Sequence, residues 1–473
     1  MKSYIVIMIL IGTVLVQSCN QPKKNKISHP NIIFIMADDL GYGDLGSYGQ
    51  KTIKTPHIDK MTAEGIMFTQ HYAGNTVCAP SRCSLMTGLH MGHAEVRGNK
   101  QAQPLGQMPL SDQAVTVAKL LKGAGYKTAM IGKWGLGNEW TTGEPAKQGF
   151  DYYYGYLDQV LAHNYYPEYL IRNGKKEMLR NEVKYLSKDA WHEGLGSYST
   201  KKVDYSNDLF TKDALRFIEE NKERPFFLYL PYTIPHDNGE AETGQRMEVP
   251  DYGIYNDKDW DTDQKGYAAM ITRLDQAVGS ILQKLKKYGI DKNTLVIFTS
   301  DNGPEMNYSF AENFDSNGEF RGGKRDLYEG GIREPLIARW PGNIHQGTVS
   351  DHLSAFWDFL PTACEIAGVT LPANTDGISY LPTLTGKSNQ TNHDYLYWEF
   401  YEKGGAKAVR KGKWKAVKNN LKKNLNSPVE LYDLESDPGE TTNLAKQYPE
   451  IVSEMDSIML IANSPSEVFS FSK

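Results

Sequence analysis

Residues 31–39 read Asn-Ile-Ile-Phe-Ile-Met-Ala-Asp-Asp. An unbroken apolar run of this length is the pattern of a strand covered on both faces, and here it stops on two carboxylates. The same design recurs along the chain. Residues 127–132 end in Lys133, residues 225–232 lead to His236, and residues 294–300 end in Asp301 and Asn302. Helical stretches separate them, at 116–122 and 268–288. The second carries Ile271, Leu274, Val278, Ile281, Leu282 and Leu285 at helical spacing. Apolar strands alternating with amphipathic helices predict an α/β fold with a large mixed, mostly parallel sheet sandwiched by helices. Sheets of this kind bind ligands at the carboxyl ends of their strands. An Asp after a strand is ordinarily a turn or cap residue, and a loop Lys or His is ordinarily solvated. Four polar groups expected at one sheet edge make a site the better reading.

Residues 78–82 read Cys-Ala-Pro-Ser-Arg. Pro80 suits a first helical turn, so Cys78 is expected near a positive helix end, which favours an anion on its side chain. Arg82 is close enough to brace the same atom. Taken alone, Cys78 would be read as a reactive or buried thiol. Asp38, Asp39, Asp301 and Asn302 supply hard oxygen donors, which suit Ca²⁺ or, second, Mg²⁺. Arg82, Lys133 and Lys324 supply positive charge for an anion. The set suits a sulfate or phosphate ester held between a divalent cation and cationic side chains.

Composition excludes some classes. Lys and Arg number 52 against 57 Asp and Glu, a net charge of −5, so no general affinity for nucleic acid is expected. The amino terminus reads as a signal peptide over residues 1–19. Its apolar run is too short for a membrane span of about 20 residues. Cys19 at the end of that run resembles a lipobox cysteine, so an exported protein is expected, periplasmic or lipid-anchored at a bacterial surface, with ordinary secretion as the alternative. Residues 20–29 read as a solvated linker. Of the four cysteines, Cys83 and Cys364 are then left as buried thiols or a disulfide, and no spacing for a structural zinc appears.

The segments ADDLGYGDLGSYG, CAPSRCSLMTG, IGKWGLG, SDNGPE and GGKRDLYEGGIREP, in that order, resemble the type I sulfatases of the alkaline-phosphatase superfamily. The late segment LYDLESDPGETTNLA is similar to the closing piece of their smaller C-terminal domain. The resemblance implies a catalytic domain over 30–367, a C-terminal subdomain over 368–473, and oxidation of Cys78 to formylglycine by a maturation enzyme acting before export. It implies Ca²⁺ bound by Asp38, Asp39, Asp301 and Asn302 with the modified Cys78. Arg82, Lys133 and Lys324 would hold the formylglycine or the sulfate. His236 would protonate the leaving alcohol or contact the sulfate. A hydrated aldehyde offers two hydroxyls on one carbon: one attacks sulfur, and deprotonation of the other then expels sulfate. An unmodified Ser or Cys would stay sulfated.

One position departs from the family. Many members read Gly-Lys-x-His where this chain has Gly132-Lys133-Trp134-Gly135. Replacement by His93 or His163 is considered. His93 alone reads better as a helix-packing residue, and His163 as a substrate contact in the long, irregular region 150–205. The leading reading is a sulfatase acting on a sulfated carbohydrate, with a galactose or N-acetylgalactosamine sulfate as the expected sugar. The alternatives are a catalytically silent sulfated-glycan-binding surface protein and a related phosphatase or phosphodiesterase. Past residue 368, short strands at 395–401, 406–410, 414–417 and 430–433, with a helix over 449–461, predict a small antiparallel sheet plus helix. The Lys-rich run 411–423 reads as a solvated hairpin, with a glycan-binding patch as the sharper alternative.

Overall fold

The computed structural model describes residues 29–102, 106–186 and 196–472. The signal-peptide and Cys19 readings lie outside them. The large sheet has eleven strands. They are β1 (Asn31–Asp38), β2 (Ile66–Tyr72), β3 (Lys127–Lys133), β4 (Tyr152–Tyr156), β5 (Tyr169–Arg172), β6 (Lys175–Met178), then, after the separate ribbon of β7 (Glu182–Tyr185) and β8 (Ser197–Lys201), β9 (Phe226–Pro235), β10 (Thr294–Ser300), β11 (Arg333–Arg339), β12 (Thr348–Ser350) and β13 (Ser354–Ala355).

Topology puts every predicted polar group at one edge. The order β10-β1-β9-β3-β4 is parallel throughout. The carboxyl ends of these five strands therefore point the same way. Next to β10, β11 runs antiparallel, and β2 runs antiparallel to β11. The loop entering β11, which carries Lys324, and the segment leaving β2, which carries Cys78, both arrive at that edge. All eight residues of β1 are buried, as its continuous apolar text requires.

Two expectations are corrected here. The region 150–205 is not irregular: it holds β4 to β8. Several of those strands are four residues long and alternate polar with half-buried positions, so they leave little apolar signal. The helix predicted from 268 begins earlier and spans Thr262–Lys287. Its start is a reciprocal cap: Asp261 accepts from the Gln264 N–H at 2.8 Å, and Gln264 accepts from the Asp261 N–H at 3.1 Å.

The C-terminal sheet is antiparallel, in the order β14 (Leu396–Phe400), β15 (Ala406–Lys411), β16 (Trp414–Asn419) and β17 (Val429–Asp433), packed by the helix Pro449–Ile461. The Lys-rich hairpin is not simply solvated. Lys422 and Lys423 are exposed, but Lys415 is 0 % exposed and its Nζ donates to Glu329 Oε1 at 2.8 Å. A buried acid on the large domain thus decides where that lysine goes. Cys83 and Cys364 are buried free thiols, not a disulfide.

His71, on β2, is buried with Nδ1 2.9 Å from Ser354 Oγ and its ring beside Phe356. Burial pushes it down from 6.5 to about 3. The unfolded chain therefore binds a proton that the folded chain does not between those values. The stabilising contribution is complete above pH 6.5 and is lost as pH falls towards 3, by about 1.4 kcal/mol per pH unit. His71→Gln is expected to flatten the acid limb of stability relative to wild type. Urea midpoints at stepped pH check this; parallel curves for the two proteins would refute it.

Candidate active site

Cys78 is the first residue of the helix Cys78–Thr87, whose ten residues are all buried. Its Sγ lies 3.4 Å from Asp38 Oδ1 and 3.6 Å from Lys133 Nζ. The expectation of an anionic side chain here is corrected. Burial, followed by the charge of Asp38, pushes the thiol well above its usual range, against the pull of Lys133. Desolvation outweighs the helix end.

Lys133 Nζ donates to Asp38 Oδ2 at 2.7 Å, and Lys324 Nζ to Asp39 Oδ2 at 2.6 Å. Arg82 is fully buried and forks onto Asp301 Oδ2, from Nε at 3.1 Å and Nη2 at 2.7 Å. Its Nη1 donates to the Lys133 carbonyl, and Nη2 lies 3.5 Å from Asp38 Oδ2. Asp301 also accepts from the Asp39 N–H, and Asn302 Nδ2 donates to Asp39 Oδ1 at 2.7 Å. Asp39 sits at φ +64°, a left-handed backbone that costs energy and is tolerated where surrounding structure enforces it. Gly303 is required by close approach: a Cβ there would lie 2.0 Å from the Gly330 carbonyl oxygen. This contact presses the 301–305 segment against the loop that delivers Lys324, whose N–H donates to the Pro304 carbonyl.

His236 has a defined tautomer. Nδ1 faces the Asp237 carbonyl at 2.6 Å and must donate to it, so Nε2 offers its lone pair to Lys324 Nζ at 2.9 Å. Burial and then the Lys324 charge hold the ring well below its usual range, in agreement with a neutral imidazole. His163 stacks on it at 4.6 Å between ring centroids, and its Nδ1 is 3.0 Å from Glu240 Oε2.

The donor set fits a hard divalent cation. Asn302 Oδ1 is buried with no partner among the described residues. Burial and then the Asp38 charge push Asp301 up to about 7, against Arg82. Asp39 is raised by burial and by Asp38, against Lys324. Crowded carboxylates beside an orphaned amide oxygen are what a Ca²⁺ ion would relieve. Ligand atoms of Asp38, Asp39, Cys78 and His236 also lie within 4.8 Å of one another. The ammonium groups of Lys133 and Lys324 hold oxygens that a cation would share.

The structure thus brings together Asp38, Asp39, Cys78, Arg82, Lys133, His236, Asp301, Asn302 and Lys324, with His163 alongside. It does not bring His93. That ring is 39 % exposed, stacks on His90 and bonds Asp376 at 2.8 Å. Its partner Asp376 lies in the C-terminal connector. Sequence reasoning missed Ser81, whose Oγ bridges the Gly74 N–H and the Asp301 carbonyl. It lies inside the Cys78 motif and could have been read there. Glu240 behind His163 has no local signal.

A mostly parallel sheet with buried cationic side chains and carboxylates gathered at its carboxyl edge is suited to holding an anionic ester. Residues 30–369 match the family described as Sulfatase, and residues 318–463 match the family described as N-sulphoglucosamine sulphohydrolase, C-terminal. The chain is 34 % identical to arylsulfatase A of Homo sapiens, over 91 % of this chain and 87 % of that protein. It is 30 % identical to N-acetylgalactosamine-6-O-sulfatase of Bacteroides thetaiotaomicron, over 95 % and 97 %. Among solved structures it is similar to Ps i-CgsB in complex with k-i-k-neocarrahexaose, with a TM-score of 0.76, 28 % identity, and 92 % and 94 % of the two chains covered. The chain belongs to the sulfatase family and is a sulfuric ester hydrolase.

Proposed function

We propose that the protein is a Ca²⁺-dependent sulfatase that removes sulfate from a sulfated carbohydrate through a formylglycine made from Cys78. The observation that carries this reading is the burial of Cys78 between Asp38 and Lys133 at a helix start, with Arg82, Lys324 and His236 around it. Asp38, Asp39, Asp301 and the Asn302 amide oxygen would hold the cation, which supplies charge neutralisation for the sulfate oxygens. The formylglycine supplies the nucleophilic hydroxyl. Lys133 and Lys324 orient the anion. The Lys324–His236 pair, 2.9 Å apart, is placed to deliver a proton to a leaving sugar alkoxide, which leaves poorly without one. His163, stacked on His236, contacts the sugar.

The sugar is a galactose or N-acetylgalactosamine sulfate, a reading supported by the names of the relatives. Residues 30–367 form the catalytic unit and 368–473 the C-terminal subdomain. A maturation enzyme converts Cys78 before export through the segment 1–19, with Cys19 lipidated. Among the described residues no helix is long and apolar enough to cross a membrane.

Free sulfate released from a panel of sulfated galactose, galactosamine and glucosamine compounds tests the reading. Release by the matured wild type with none from Cys78→Ala supports it, and a converted Cys78 with no release from any compound opposes it. The cation has its own test. Stripping with a chelator should lower both turnover and melting temperature, and Ca²⁺ at about 100 times its dissociation constant should restore about 2.7 kcal/mol of stability. Full activity and an unchanged melting curve after stripping would remove the metal from the account.

A further inference from the structure

Gly135 stands where the family pattern quoted above has a histidine, and the structure shows what occupies the space beside it. The residue sits at φ +76°, so a side chain there is strained. A Cβ on Gly135 would also lie 2.6 Å from Gln159 Nε2 and 2.8 Å from Gln159 Cγ. A larger residue at 135 would therefore displace the Gln159 side chain from this position.

Gln159 follows the carboxyl end of β4, beside β3 and its terminal Lys133. The Gly135 N–H donates to the Leu157 carbonyl, which ties the two strand ends together. Gln159 is only 4 % exposed, yet its Nε2 has no hydrogen-bond partner among the described residues. The adjacent Asp158 is also buried. Its Oδ1 caps the Leu161 N–H at 2.8 Å, whereas its Oδ2 has no partner. His163, one short turn further on, stacks on His236. Gln159 thus follows, by three residues, the Tyr156 that pairs with Lys133, and precedes His163 in the same strand-end segment. A buried amide donor left without an acceptor is costly, and an acceptor supplied by a bound ligand would relieve it.

We propose that Gln159 is a substrate-contacting residue that takes the place of the side chain missing at Gly135, its amide N–H donating to an oxygen of the bound sulfate group. An amide cannot accept a proton at neutral pH, so the replacement is of position and hydrogen bonding, not of base chemistry. This inference rests on the sulfatase reading above.

The test uses the full chain, matured at Cys78, with 4-nitrophenyl sulfate as substrate and inorganic sulfate as inhibitor. Gln159→Leu keeps most of the volume and removes the donor. It should lower kcat/KM and weaken inorganic sulfate inhibition by about 10- to 100-fold, the range for a hydrogen bond to a charged group. Its melting temperature should hold or rise, because a buried unpartnered donor is gone. Gln159→Glu, which sets a carboxylate against the sulfate, should be worse than Gln159→Leu. Wild-type kcat/KM and wild-type sulfate inhibition in Gln159→Leu would overturn the proposal and leave Gln159 as packing. A matured wild type that releases sulfate from neither 4-nitrophenyl sulfate nor any sugar of the panel above would instead oppose the proposed function, so the two failures are distinct.

Discussion

Cys78→Ala loses sulfate ester hydrolysis by at least about ten-thousandfold, the scale seen when a nucleophile that acts with its neighbours is removed. The reason is chemical. The remaining cluster still carries Lys133, Lys324 and Arg82, so sulfate binding survives, but no atom is left to attack sulfur. The thiol itself would be a poor substitute. Burial and the Asp38 charge hold it protonated, and a thiol is the weak form of this nucleophile. Cys78→Ser separates the two roles of the converted residue. A serine can take the sulfate once but has no second hydroxyl to expel it, so at most one turnover per chain is expected. Removing Sγ opens only a small space, and both variants should melt close to wild type. Steady turnover by Cys78→Ser, followed by sulfate release over many equivalents, would show that one hydroxyl is enough and would break this account.

Arg82→Leu is expected to destabilise the fold by about 3–5 kcal/mol, the cost of removing one partner from a buried ion pair. Arg82 is fully buried and spends its donors on Asp301, the Lys133 carbonyl and the flank of Asp38. Taking away the guanidinium leaves Asp301 beside Asp38 and Asp39 with less opposing charge. Against a total stability of about 5–15 kcal/mol, this loss should be visible as poor expression and a large drop in urea midpoint. Arg82→Lys should recover only part of it, because an ammonium has no planar fork to meet Asp301 and the carbonyl together. An unfolding free energy for Arg82→Leu within about 0.5 kcal/mol of wild type, the range of an ordinary surface substitution, would mean that the cluster is solvated in solution and not the dry site described.

The parts of the site that were legible in the sequence are those written by local pattern. A continuous apolar strand must be covered on both faces, so Asp38, Lys133, His236 and Asp301 could be placed at strand ends before any coordinates. Lys324 and Cys78 could not be placed this way. They reach the edge only because β11 runs antiparallel to β10 and β2 antiparallel to β11, and long-range pairing of that kind leaves no periodicity in the text. Environment was hidden for the same reason. The helix start at Cys78 suggested an anion, but the ten buried residues of that helix decide otherwise. Lys415 looked solvated until Glu329, far away in sequence, was seen to face it. The missing histidine at Gly135 was visible as a gap, whereas Gln159, which packs beside it, comes from the turn after β4 and carries no motif.

The central claim is that Cys78 acts as a formylglycine in sulfate release. The most direct measurement is the mass of the peptide containing Cys78, taken from the same preparation whose sulfate release is recorded. Conversion replaces the thiol sulfur by an aldehyde oxygen with loss of two hydrogens, and the account predicts that activity rises in proportion to the converted fraction across preparations made with and without the maturation enzyme. Equal activity from preparations in which Cys78 remains a thiol would contradict it.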